Sequence, residues 1–167
     1  LPILAFDNDG WWGTNTEALR SAVQAIQSKN DFRKTMTAYQ KLYRSSLLGD
    51  MQNELQSSEY NEMLAIIAAK PESYNPQQIQ HRGIAHYESW AKRLKASFDL
   101  SYGLFPATDE AAIKAVFMEM PSQNDFAKTA QVYAALYAQN LLNDLKSELE
   151  FWEYEPMMRL LLNKPKA

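Results

Sequence analysis

Two places in this chain carry side chains that could do chemistry, and neither makes a complete site. Asp7 and Asp9 follow a short apolar run, where an aspartate can attack a phosphate or open a calcium-binding loop. The first role needs alternating strands and helices, which do not follow, and the second needs a glutamate where Ala18 stands. His81 and His86 lie five positions apart without a third ligand nearby, which is poor spacing for a metal. The sequence therefore predicts a protein that is not an enzyme.

Composition narrows the remaining classes. The chain has 167 residues, of which 46% are hydrophobic and 22% charged, with only five glycines, as in globular proteins with a sizeable core. A net charge of −3 gives no general attraction to nucleic acid, so we expect no nucleic-acid partner. The absence of cysteine excludes disulfides and thiolate metal sites. No apolar run approaches the roughly 18 residues of a membrane-spanning helix, so no transmembrane segment is predicted.

The chain repeats itself, and this predicts how its parts are arranged. Residues 14–71 recur without a gap at residues 108–165, a constant shift of 94 positions from 14 to 108. The copies share Asn-Asp-Phe, Lys-Thr, two tyrosines, Leu-Leu, Glu-Tyr and Lys-Pro, which in the first copy begin at Asn30, Lys34, Tyr39, Leu47, Glu59 and Lys70. A match of this length indicates two copies of one supersecondary unit.

Each repeat has the periodicity of four helices. Apolar residues recur every three or four positions, and no segment alternates with the period of a strand. We expect Thr14 and Thr108 to cap the first helix of each repeat. The second helix is expected to start near Asp31 or Asp125, the third near Ser46 or Asn140, and the fourth to run over residues 59–69. The predicted fold class is all-α.

Aromatic residues at equivalent positions define the expected core. Phe32 and Tyr39 lie on one face of the second helix of the first repeat, and Phe126 and Tyr133 lie in the same places in the second. We therefore predict that all four side chains are buried.

The segment between the repeats divides the chain. Residues 1–71 form repeat 1 with a short N-terminal segment, and residues 72–82 form a connector rich in Pro, Asn and Gln. Residues 83–167 form repeat 2, preceded by a leading helix over about residues 83–100 with an apolar stripe. Repeat 1 has only residues 1–9 in that place, which is too short for such a helix. Each repeat thus has four to five helices, and we expect another segment or a partner to supply the missing one, or the helix to be absent.

The order of these elements resembles the annexin repeat. Gly13-Thr14-Asn15 and the later block DMQNEL at residues 50–55 match the annexin pattern in repeat 1. Thr108-Asp109-Glu110 and DLKSEL at residues 144–149 match it in repeat 2. Annexin cores usually have four repeats with short joints, whereas this chain has two repeats with a long joint. The resemblance implies an annexin-like helical fold.

The resemblance also implies where calcium could bind. Annexins hold calcium with the carbonyl oxygens of a Gly-x-Gly-Thr loop and with a carboxylate about 40 residues later, a ligand set that suits this ion. In repeat 1 that loop would run from Gly10 to Gly13, with Trp11 in place of the first loop glycine, and Glu54 would be the distant carboxylate. The implied site has one acidic ligand, so binding would be weak, at about 10⁻⁴ to 10⁻³ M.

The corresponding site in repeat 2 is poorer. Its loop would run from Leu104 to Ala107 with Glu148 as the carboxylate, but Phe105-Pro106-Ala107 replaces the glycine pattern. A chain without glycine cannot easily turn its carbonyl groups inward. The resemblance therefore favours calcium in repeat 1 over repeat 2. The alternative is that Glu54 and Glu148 only cap or solvate the end of a helix.

Aromatic residues in the same loops suggest contact with a surface. Trp11 and Trp12 are adjacent, and two neighbouring indoles in a turn cannot both point into a core. An exposed indole is a good anchor for a membrane interface or a protein partner. Phe105 occupies the position of Trp11 in repeat 2. The alternative is that the indoles cover the end of the helix bundle.

Two functions remain open from sequence. The first is a non-enzymatic annexin-like binding module with weak calcium-dependent binding to an acidic phospholipid or another surface. The second is a structural scaffold that has lost calcium and contacts proteins within a larger surface, secretion or virion complex.

Overall fold

The computed structural model describes residues 15–77, 83–102 and 104–167. In these residues the chain forms helices joined by short turns, with one small hairpin. We label them α1 Thr16–Ala25, α2 Lys29–Tyr43, α3 Leu47–Glu54, α4 Ser57–Ala68, α5 Ile84–Phe98, β1 Ser101–Tyr102, β2 Phe105–Pro106, α6 Glu110–Glu119, α7 Gln123–Tyr137, α8 Leu141–Glu148 and α9 Phe151–Leu162. The predicted all-α fold class is confirmed.

The chain divides into two compact units, Leu1–His81 and Arg82–Ala167. Helices α1 to α4 belong to unit 1, and α5 to α9 with the hairpin belong to unit 2. In the part of the chain that the structure describes, strands β1 and β2 form the only sheet, an antiparallel pair that matches Ser101 with Pro106 and Tyr102 with Phe105. No helix within the described ranges is long and apolar enough to cross a membrane.

The two repeats begin and end their longest helix in the same way. The Ser28 hydroxyl accepts a hydrogen bond from the Asp31 amide at the start of α2, and Ser122 does the same for Asp125 at the start of α7. Helix α2 ends at Arg44 in the left-handed conformation with φ of 59°, and α7 ends at Ala138 with φ of 53°. The sequence repeat is therefore a structural repeat.

The segment after the last helix of each repeat returns to the start of its second helix. There its backbone carbonyl groups accept hydrogen bonds from amides that have no partner inside the helix. The pairs are Lys29 N to Pro71 O and Asn30 N to Glu72 O in repeat 1, and Gln123 N to Pro165 O and Asn124 N to Lys166 O in repeat 2, all 2.9–3.0 Å long. Each repeat thus closes on itself.

The expected caps of the first helices were one residue out. Thr14 lies outside the described residues, and Asn15 caps α1 by accepting from the Ala18 amide. In repeat 2 the cap is Asp109, not Thr108. Thr and the Asn or Asp after it are both good cap residues, so the sequence did not distinguish them. The shift leaves the Thr108 hydroxyl available for a different contact.

The predicted aromatic core is confirmed. Phe32 and Tyr39 are 5% and 8% exposed, and Phe126 and Tyr133 are 6% and 0% exposed. Each of the two tyrosine hydroxyl groups donates to an aspartate on the next helix at 2.7 Å: Tyr39 to Asp50 and Tyr133 to Asp144. Burial, and then the hydrogen bond to Asp144, raises the pKa of Tyr133 far above its ordinary value.

We predict that Phe32→Ala and Phe126→Ala each lower the free energy of unfolding by about 3–5 kcal/mol, because each leaves a cavity in its own core. Urea unfolding followed by circular dichroism measures this. Phe105→Ala is the matched control, since that ring is 76% exposed and its loss should change stability little. Equal stability of Phe32→Ala and the wild type would contradict the assigned register.

Candidate functional site

A loop with exposed apolar side chains connects α5 to α6 in unit 2. Its base is closed by two backbone hydrogen bonds, Ala107 N to Leu100 O at 2.9 Å and Asp109 N to Ser97 O at 2.8 Å. Between them the β1–β2 hairpin leaves Tyr102, Leu104 and Phe105 exposed by 68%, 97% and 76%. Side chains this apolar are usually covered, so the tip is a candidate contact surface.

The structure brings the predicted distant carboxylate of repeat 2 to this loop. The Thr108 hydroxyl lies 3.2 Å from a side-chain oxygen of Glu148 and 3.2 Å from its backbone carbonyl oxygen. Glu148 is the last residue of α8 and is exposed. The residue spacing that suggested a loop and carboxylate pair thus corresponds to a real contact.

The loop itself offers little to calcium. The Leu100 carbonyl is engaged with Ala107, and the strands pair with each other across the hairpin. Across residues 15–77, 83–102 and 104–167 there is no group of three or more Asp, Glu or His side chains that could hold a metal ion. Glu148 alone would therefore have to supply the negative charge for any ion here.

The site predicted in repeat 1 is only partly within the described residues. Gly10, Trp11, Trp12 and Gly13 all lie outside them. Glu54 is described, and it is exposed at the C-terminal end of α3, the position that corresponds to Glu148. The two halves of that site are thus not seen together.

The start of α9 extends the exposed surface at this end of unit 2. Glu150 and Glu153 form a capping box, and Phe151 and Trp152 between them are 73% and 69% exposed. The Glu110 and Glu153 side chains are hydrogen-bonded, so the N-terminal ends of α6 and α9 lie side by side. That contact, helped by burial, raises the pKa of Glu110, because two neighbouring carboxylates cannot easily both ionise.

A groove of about 670 Å³ runs between α6 and α9. Its walls combine two carboxylates and one ammonium with a largely apolar floor: Glu110, Ala111, Lys114, Trp152, Glu153, Pro156, Met157 and Leu160. Pro156 has no amide hydrogen, so the Trp152 carbonyl oxygen lacks its usual helical donor. We call this the α6–α9 groove.

Repeat 1 has a different arrangement at the same positions. There Arg20 on α1 reaches Glu62 on α4 through two hydrogen bonds of 2.6 and 3.0 Å, and both residues are 2% exposed. Lys114 and Pro156 stand at the corresponding positions in repeat 2, so this ion pair cannot form. Comparing the repeats position by position would have indicated the difference, although neither residue belongs to a recognisable motif.

Solved structures of annexins align with this chain. Annexin III is 20% identical over an alignment that covers 94% of this chain and 41% of annexin III, with a TM-score of 0.39. For chicken annexin V the values are 16%, 95%, 42% and 0.41, and for calcium-bound alpha-14 giardin they are 13%, 87%, 43% and 0.41. The chain therefore spans less than half the length of each of these proteins. At this identity the similarity concerns the fold alone.

No protein-family model matches the chain, and no curated protein matches it.

We predict that Glu110→Thr stabilises the protein at neutral pH. Thr16 occupies this position in repeat 1 and donates a 2.9 Å hydrogen bond to Glu59, so the variant replaces a carboxylate pair by a bond that repeat 1 already uses. The raised pKa means that the folded wild type holds its proton more tightly than the unfolded chain. Its stability therefore falls as pH rises from the ordinary value of 4.5 through the folded pKa.

Thermal melts at several pH values test this. The variant should melt higher than the wild type at neutral pH, by a few tenths of a kcal/mol as for exposed like-charge pairs, and the gain should vanish below pH 4.5. Glu155→Gln, which removes one charge from the same helix, is the control. A gain that does not depend on pH would show that the carboxylate pair is not its source.

Proposed function

We propose that this chain is a non-enzymatic binding module that docks on an acidic phospholipid surface through the hairpin loop of its second repeat. The observation that supports this most directly is the exposure of Leu104 and Phe105 at the tip of a closed loop. Burying both side chains in the outer part of a bilayer gains about 3–6 kcal/mol before any cost of association. Tyr102, with an apolar ring and a polar hydroxyl group, suits the membrane interface beside them.

In this proposal calcium acts weakly and through repeat 1 alone. Glu54 corresponds to Glu148, which contacts the loop of its own repeat, so Glu54 is expected beside the loop with Gly10, Trp11 and Gly13. The glycines there allow carbonyl groups to turn toward an ion, and the carboxylate completes the ligand set. In repeat 2 the hairpin and Pro106 argue against such a loop, so Glu148 is assigned no metal. Trp11 and Trp12 would contact the same surface as Phe105.

The second candidate is a calcium-independent scaffold that binds proteins within a larger surface, secretion or virion complex. The α6–α9 groove supports it, because an apolar floor rimmed by charges is typical of a site that receives another chain.

Vesicle sedimentation tests the membrane proposal. Leu104→Ser/Phe105→Ser should reduce binding to vesicles of phosphatidylserine and phosphatidylcholine at least about tenfold, since it removes the side chains that would enter the bilayer. Leu162→Ser is the matched control, because Leu162 is 63% exposed at the other end of α9. Equal binding by the loop variant and the wild type would contradict docking through the hairpin.

Calorimetry tests the calcium proposal separately. We expect a weak response, with a dissociation constant of about 10⁻⁴ to 10⁻³ M, that Glu54→Gln abolishes and Glu148→Gln leaves unchanged. If millimolar calcium produces no heat and no rise in melting temperature, the calcium part of the proposal is wrong. The scaffold function then takes its place, unless the vesicle experiment supports binding without calcium.

A further inference from the structure

Helix α2 of repeat 1 has a basic face that repeat 2 lacks. Its cations and the residues at the same positions of α7 are Lys29 and Gln123, Arg33 and Ala127, Lys34 and Lys128, Lys41 and Ala135, and Arg44 and Ala138. The two helices share their caps, their buried aromatic residues and their tail contacts. Four of the five cations are therefore not required by the fold, since the same frame forms without them.

The basic face keeps an excess of positive charge. Glu72 pairs with Lys29 and Arg33 at 3.6 and 3.0 Å, and Asp31 pairs with Lys34 at 3.4 Å. Two carboxylates thus stand against five cations, and Lys34 is still 80% exposed.

The shape of this face suits insertion into a groove. Lys34, Ala38 and Lys41 lie at i, i+4 and i+7 and so share one side of α2. Ala38 is small and lets another chain approach the helix closely. Leu42, four residues after Ala38, adds an apolar side chain that is 69% exposed. A shallow cavity of about 510 Å³ follows this side of the helix, lined by Asn30, Arg33, Lys34, Thr37, Ala38 and Lys41.

The α6–α9 groove has the complementary chemistry. Glu110 and Glu153 lie against each other, and a cation between them would relieve their repulsion. The Trp152 carbonyl oxygen, left without a helical donor by Pro156, can accept a hydrogen bond from an ammonium group. Trp152 is exposed and offers a flat ring to a small residue or a lysine stem, and Met157 and Leu160 provide an apolar floor.

We propose that the basic face of α2 in one copy of this chain docks into the α6–α9 groove of a second copy. Lys34 or Lys41 would lie at the Glu110–Glu153 pair, and Trp152 would pack over Ala38 beside Leu42. The two surfaces differ, so the contact is heterologous: each copy carries one basic face and one groove, and association continues from copy to copy or closes into a ring. This inference needs neither lipid nor calcium and stands apart from the function proposed above.

The interface is small and charged, and this determines how it should behave. Contacts of this size are typically weak and reversible. Because the attraction is between exposed charges, added salt should weaken it. The wild type should therefore show an average mass that rises with concentration in low salt and returns to that of the monomer in high salt.

Sedimentation equilibrium with two complementary variants is the decisive experiment. Lys34→Glu/Lys41→Glu removes the basic face and keeps the groove, whereas Glu110→Lys/Glu153→Lys removes the groove charges and keeps the face. Each variant alone should stay monomeric. An equimolar mixture should form a 1:1 dimer and nothing larger, because one intact face meets one intact groove and no further surface remains.

Controls keep the result interpretable. Lys128→Glu makes the same charge change at the equivalent position of α7 and should associate like the wild type. Trp152→Ser introduces the residue that repeat 1 has at this position and should weaken association if the Lys variants of the groove fail to fold. Circular dichroism melts verify folding in each case.

Three results would overturn the proposal: a wild type that is monomeric at every concentration in low salt, single-surface variants that still associate, or a mixture that stays monomeric. A monomeric wild type whose Lys34→Glu/Lys41→Glu variant loses binding to anionic vesicles would instead assign the basic face to lipid.

Discussion

A tyrosine hydroxyl group in an apolar core must keep a hydrogen-bond partner, because burying it unpaired costs roughly 1–3 kcal/mol. In both repeats that partner is an aspartate eleven residues later, Asp50 for Tyr39 and Asp144 for Tyr133. The bond joins the longest helix to the short helix after it and sets the distance between them. The short helix, in turn, positions Glu54 or Glu148 at its C-terminal end. The candidate site therefore depends on a contact in the core.

This shared frame explains why the repeats can differ so much at their surfaces. Caps, buried aromatic residues and tail contacts are the same in both, so stability does not require the outer side chains to match. Repeat 1 has a buried Arg20–Glu62 pair where repeat 2 has an open groove, and a basic α2 where repeat 2 has a nearly neutral α7. Because such surface differences leave the fold intact, each repeat is able to present a different contact chemistry.

Most of the fold could be predicted from sequence, because the spacing of apolar residues and the shift between repeats depend only on local order. Phe32, Tyr39 and their counterparts were placed correctly for this reason. The hairpin at residues 101–106 was not predicted, since two-residue strands are too short to alternate. The Glu110–Glu153 contact joins helices 43 positions apart, and only tertiary packing reveals it. The expected caps failed because adjacent residues compete for the same role.

The tail contacts also say something about how such a chain can be built. Because Pro71 and Glu72 satisfy the first amides of α2, and Pro165 and Lys166 those of α7, a repeat brings its own closing strap with it. A copied segment that includes the strap leaves no backbone group of its second helix without a partner at the seam. Duplication of the unit is therefore cheap at the backbone level, and a cut made just before the strap would be expensive.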